Sequence, residues 1–67
     1  MNINEAGLLI KKRRFALGID QRTLSDIAGI AIHTVSNIEA GNGNPTVATL
    51  EKLLDAVGME LRIEIKQ

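Results

Sequence analysis

No cysteine occurs in the 67 residues, which excludes disulfide staples and thiolate metal sites, and one histidine is too few ligands for an ordinary zinc site. Tryptophan and tyrosine are also missing and phenylalanine occurs once, so stacking platforms for single strands or splayed RNA bases are lacking. No uncharged stretch approaches the roughly 20 apolar residues that cross a bilayer, so no membrane partner is expected. Met1 to Glu5 place no basic residue ahead of an apolar run, which does not read as a secretory leader and makes the cytoplasm the expected location. Net charge is absent too: eight basic and eight acidic residues cancel, so the chain as a whole does not advertise a polyanionic partner. There is no Ser/His/Asp set at useful spacing, no phosphate loop and no length for a cleft, so enzymatic activity, a cofactor and a small-molecule substrate are not expected.

What is there is ordinary globular material, 45% apolar and 24% charged with a single proline. A chain this short forms one small domain that buries only about 60% of the surface it exposes unfolded. The charge is unevenly placed. Residues 1–34 hold Lys11, Lys12, Arg13, Arg14 and Arg22 against Glu5, Asp20 and Asp26, whereas the rest holds Lys52, Arg62 and Lys66 against Glu39, Glu51, Asp55, Glu60 and Glu64. One half can face phosphate while the other faces something else.

Ile3, Ala6, Ile10, Arg14 and Leu17 recur at helical spacing and stop at Gly18, which predicts a first helix over about 4–17. Asp20 is an N-cap type, Leu24, Ile27 and Ala28 form an inward face, and Gly29 suits a left-handed terminus, giving a second helix over about 21–28. Ile32, Val35 and Ile38 step by three toward Gly41, giving a third over about 32–40. Asn42, Gly43, Asn44 and Pro45 are turn formers. Thr46 then caps a fourth helix whose face is Val47, Leu50, Leu53, Leu54 and Val57, ended by Gly58. The period then changes to two: Met59, Leu61, Ile63 and Ile65 alternate with Glu60, Arg62, Glu64 and Lys66, which predicts a half-buried strand.

A lone strand needs a ladder, and a second copy of the chain is the economical source. Two copies crossing at a two-fold axis pair antiparallel. With Ile63 on the axis, Arg62 faces Glu64 and Glu60 faces Lys66. With Arg62 on the axis, Arg62 meets itself and Glu60 meets Glu64, which repels by about a few tenths to 1 kcal/mol per pair. The expected organisation is therefore a domain over 1–58 and a dimerisation strand over 59–67 carrying Met59, Leu61, Ile63 and Ile65.

Two short helices joined by a glycine-containing turn, residues 21–40, form the helix-turn-helix pattern, whose second helix enters the major groove. The groove, about 12 Å wide, admits a helix about 10–12 Å across. The wording from Asp20 to Gly41, with Leu24, Ser25, Gly29, Val35 and Ile38 at the small, turn and core positions, resembles the lambda-repressor and Cro type of helix-turn-helix regulator (the XRE family). Arg13 to Gly18 and Asn44-Pro45-Thr46 match as well, and the resemblance covers residues 6 to about 58. The compact ending with a terminal strand is similar to the HipB-like antitoxin subfamily.

The resemblance implies an all-α fold, a helix-turn-helix bundle of four to five short helices with a C-terminal β-strand that pairs in a homodimer. It also implies a repressor that binds double-stranded DNA at an inverted repeat, with a toxin protein as a further partner. The alternative is a protein-interaction module whose main role is to neutralise such a toxin. Carried over by position, Ile32, His33, Ser36 and Asn37 face base edges, while Gln21, Arg22, Thr34, Asn42 and Asn44 face phosphate. Asn37 suits bidentate contact to adenine, and His33 suits guanine or a phosphate. Each has a plain alternative: a solvated first-turn glutamine, exposed helix residues without a role, or a surface turn. Ala31 stands where the family has a capping residue, worth about 1 kcal/mol. Ile32 stands where a polar residue is common, and it touches a thymine methyl or packs inward. Arg14 lies on the apolar stripe of its helix, where a charge needs a partner, and Glu39 matches the family position that answers it. Lys11, Lys12 and Arg13 read as a solvated face or as phosphate contacts. Leu9 and Phe15 lie off the stripe, as fold contacts or part of a toxin surface.

Overall fold

A computed structural model describes residues 2–66, with the side chain of Ile3 left out; the expected roles of Ile3 on the stripe and of Gln67 in the strand lie outside the described residues. Four helices follow one another: α1 (Ile3–Leu17), α2 (Gln21–Ala28), α3 (Ile32–Glu39) and α4 (Val47–Ala56). Local chemistry explains the ends. Asn2 accepts from the Glu5 amide at 2.8 Å while the Glu5 carboxylate accepts from the Asn2 amide, a capping box that the Asn2-x-x-Glu5 spacing carries in plain view. Asp20 accepts from the Thr23 amide at 2.8 Å and Thr46 from the Thr49 amide at 3.1 Å. Gly18 and Gly29 close α1 and α2 in the left-handed region, at φ of 70° and 69°.

Ala6 and Ile10 of α1, Leu24 of α2, Val35 and Ile38 of α3, and Leu50, Leu53, Leu54 and Val57 at α4 close a single core. Three residues expected inside are outside. Ile27 and Val47 are each 59% exposed, and Leu17 is exposed as well. Apolar periodicity marks a stripe without its width: α2 turns Leu24 and Ala28 toward the core and leaves Ile27 at the rim, and α4 does the same with Val47 in its first turn.

The expected C-terminal strand is not formed. Among the described residues there is no strand, because a single chain offers residues 59–66 no ladder to join. Met59 and Leu61 pack against the core instead, and the Met59 amide donates to the Leu54 carbonyl at 2.8 Å. Ile63 and Ile65, the outer half of the same alternation, stand 96% and 91% exposed.

Three contacts fix α1 on the rest. Arg14 and Glu39 form a bidentate pair, Nε to Oε2 and Nη2 to Oε1 at 2.8 Å each, with both residues buried. Gly7, on the same face, meets α3 backbone to backbone: a Cβ there would lie 1.9 Å from the Ile38 carbonyl oxygen. Arg13, expected on a solvated face, donates Nε–H to the Val57 carbonyl at 2.8 Å and so satisfies the C-terminal end of α4.

Gly7→Ala therefore requires α1 and α3 to separate, and urea unfolding is expected to show a loss of more than about 3 kcal/mol, the upper range for overpacking. Arg14→Met or Glu39→Gln leaves a buried partner unanswered and is expected to cost about 3–5 kcal/mol, with Arg14→Met/Glu39→Leu recovering much of it. Burial raises the Glu39 carboxyl, but the hydrogen bonds from Arg14 and Gln21 and the Arg14 charge outweigh it and hold the group below its ordinary value. A depressed carboxyl stabilises the fold above its unfolded pKa, and this contribution is lost as pH falls through the folded value. Thermal melts should hold steady from neutral pH down to the ordinary carboxylate range and then drop, with part of that drop missing in Glu39→Gln.

Candidate nucleic-acid interface

The turn between α2 and α3 is held from within. The Ser25 hydroxyl donates to the Ile30 carbonyl, the Gly29 amide donates to the Ser25 carbonyl at 2.9 Å, and Ile30 packs against the core. These contacts fix the angle at which α3 leaves α2, and they depend on Ser25 being small and Gly29 tolerating positive φ.

In α3, Val35, Ile38 and Glu39 are buried, which leaves the opposite side of an eight-residue helix free. At about 100° per residue, His33 and Asn37 share the centre of that outer face, with Ser36 and Thr34 on its flanks. His33, Ser36 and Asn37 are exposed, while Ile32 and Thr34 are half-buried. Ile32 thus reaches the outer face only from its edge. The α3 N-cap, Ala31, makes no side-chain hydrogen bond, and the Thr34 and Val35 amides turn back to its carbonyl at 2.9 and 3.1 Å.

The C-terminal half of α3 and the following loop frame a shallow pocket of about 160 Å³, lined by Thr34, Asn37, Ile38 and residues 42–45. The Asn42 amide donates to the Asn37 carbonyl at 2.8 Å, which ties the loop to the helix end, and Asn42 and Asn44 are exposed beside Asn37. Seven of the nine residues expected to face nucleic acid, Ile32, His33, Thr34, Ser36, Asn37, Asn42 and Asn44, thereby fall on α3 or its exit loop, and only Gln21 and Arg22 lie on α2.

Gln21 and Arg22 open α2. Arg22 is exposed. Gln21 is half-buried, and its amide nitrogen donates to Glu39 Oε1 at 3.1 Å, so the side chain expected on phosphate has an internal partner. What the start of α2 offers outward is the backbone amides of its first turn. The network is closed by Arg14 Nη1, which donates to the Ile19 carbonyl at 3.0 Å. Phe15 is 63% exposed, and the Arg14 guanidinium stacks 4.7 Å from its ring centroid, so the ring screens the buried pair on one side.

Arg13, read as a solvated face or a phosphate contact, has instead a partner 44 residues along the chain, and Gly7 meets Ile38, also distant in sequence, so neither role was visible in local spacing. Among the described residues no group of His, Asp or Glu is placed to hold a metal ion, and no helix is long and apolar enough to cross a membrane.

Residues 9–63 match the helix-turn-helix family model, which takes in most of α1 and all of α2, α3 and α4. Over 50 residues the chain is 40% identical to a protein of Haemophilus influenzae described as an uncharacterized HTH-type transcriptional regulator. The aligned part is 75% of this chain and 51% of that relative, so the chain spans about half the relative's length. With the family match covering most of the chain, and with α2, its glycine turn and an outward α3 arranged as described, the chain belongs to the helix-turn-helix family.

Proposed function

We propose that the chain is a transcriptional repressor that binds double-stranded DNA as a homodimer, each copy laying α3 in the major groove at half of an inverted repeat. The observation that carries this reading is the outer face of α3, where His33 and Asn37 stand exposed one turn apart on a helix whose other side is locked into the core. Family membership and the relative's description as a transcriptional regulator support the same reading.

Base readout falls to Asn37, His33 and Ser36, with Ile32 touching a thymine methyl from the edge. Phosphate contact falls to Arg22, Thr34, Asn42, Asn44 and the amides at the start of α2 beside Gln21. Half-site centres then lie about 34–36 Å apart, one helical turn. Met59, Leu61, Ile63 and Ile65 supply the pairing of two copies: the exposed Ile63 and Ile65 extend a segment already anchored on the core by Met59 and Leu61, and a partner strand supplies the missing ladder. The alternation of Met59, Leu61, Ile63 and Ile65 after α4 supports a place beside the HipB-like antitoxins, with a toxin as second partner. In the alternative, holding that partner protein is the main task; the zero net charge favours it, since non-specific DNA affinity grows with cations set on phosphates.

Binding to the region upstream of the chain's own operon, titrated between about 50 and 200 mM salt, separates the two: a steep fall supports the repressor, and no binding at low salt overturns it. Asn37→Ala is expected to cost about 1–3 kcal/mol on the cognate site and little on scrambled DNA, whereas Arg22→Ala weakens both alike and lowers the salt slope by about 1 per chain. Equal losses for Asn37→Ala on both DNAs would remove it from base readout. Deleting residues 62–67, which spares Met59 and Leu61, should leave a folded monomer by sedimentation that has lost tight operator binding with its bivalency. A truncated chain that remains dimeric contradicts the strand pairing.

A further inference from the structure

Beside α4, residues 59–61 and the helix frame an open groove of about 290 Å³ lined by Glu51, Asp55, Met59, Glu60 and Leu61. Its floor is apolar and its rim carries three carboxylates. Glu60 is paired with Arg62 Nε at 2.6 Å, whereas Glu51 and Asp55 make no ion pair among the described residues, and Lys52, although on the same helix, is not part of the lining. The chain then continues directly from the groove into Ile63 and Ile65, which nothing covers. An acidic, partly apolar trough thus adjoins an uncovered segment that carries Ile63, Ile65 and Lys66.

We infer that this groove receives Lys66 of a second copy of the chain, with Glu51 and Asp55 holding its ammonium beside the Arg62-paired Glu60, while Ile65 of that copy lies on the other strand face; the inference rests on the two-fold strand pairing proposed above. With Ile63 on the axis, Ile65 of the second copy stands opposite Leu61 and its Lys66 opposite Glu60, so the end of one strand runs along the edge where the other chain's groove opens. Ile65 meets Leu61, and Lys66 meets an acidic rim on which Glu51 and Asp55 are unpaired. The other register, with Arg62 on the axis, brings Glu64 of the second copy opposite Glu60 and against Glu51 and Asp55, adding like charge to an acidic rim. The groove therefore selects the register from outside the strand, through residues of α4. Because the arrangement is two-fold, each dimer contains it twice.

The full chain tests this by its dimer dissociation constant, measured by sedimentation equilibrium at low salt, where exposed charges are least screened. Asp55→Lys and Lys66→Glu sit at exposed positions and should keep their helical circular dichroism. Each alone is expected to weaken self-association by about tenfold or more, since at both sites of the dimer the contact between positions 55 and 66 changes from opposite to like charge. An equimolar mixture of the two variants should recover wild-type strength, because in the mixed dimer a lysine groove meets a glutamate end and an unaltered groove meets an unaltered Lys66. Variants that dimerise like the wild type, or a mixture that gains nothing over its components, would overturn the groove assignment and leave the strand pairing standing. A wild-type chain that stays monomeric at millimolar concentration overturns the pairing itself, and this assignment with it.

Discussion

The buried pair of Arg14 and Glu39 is the constraint on which the rest of the structure depends. A guanidinium and a carboxylate removed from water are tolerable only when each answers the other and their remaining donors and acceptors are filled. Here the fillers come from different elements: the Ile19 carbonyl from the turn after α1, and the Gln21 amide from the first residue of α2. Three helices and one turn must be in place before the charges can be buried at all. The relative placement of α2 and α3, which decides whether a helix can enter a groove, is thus set by the same bonds that hold α1 to the domain. Phe15, stacked on the guanidinium from outside, makes an apparently stray aromatic part of that arrangement.

This arrangement also explains the modest electrostatics of the outer surface. The strongest cation of α1 is spent inside on Glu39, and Arg13 is spent on the end of α4. The outer face of α3 carries an imidazole, a hydroxyl and an amide, and Arg22 stands alone at the start of α2. Under the proposed function, such a surface discriminates between bases more than it grips the backbone, and affinity comes from having two copies engaged at once.

What was legible in the sequence is what is local. Asp20, Gly29, Thr46 and the apolar steps of α3 each act within one turn of their own position, so residue type and spacing reveal the element. Arg14 was legible for a related reason, since a charge on an apolar stripe must be answered. The roles that stayed hidden are set at a distance. Nothing near Gly7 announces Ile38, and nothing near Arg13 announces Val57. Ile27 and Val47 have the right period and the wrong azimuth, because how wide a face becomes buried depends on neighbours that periodicity does not contain. The alternation after Gly58 has the signature of a strand, but hydrogen-bonded pairing belongs to two segments, and one chain holds only one of them. At the interface, the outward set on α3 follows from which side the core takes, whereas the internal bond of Gln21 to Glu39 required the three-dimensional neighbourhood.

The close approach at Gly7 has a consequence for how such a domain can change over evolutionary time. Where two helices rest on each other through side chains, every exchange of a core residue alters the spacing between them and tilts one against the other. Where they rest main chain on main chain, the distance is a constant of the polypeptide and indifferent to what is mounted elsewhere. Under the proposed function, the outward positions of α3 can therefore be rewritten, one specificity for another, on a mount whose height does not drift.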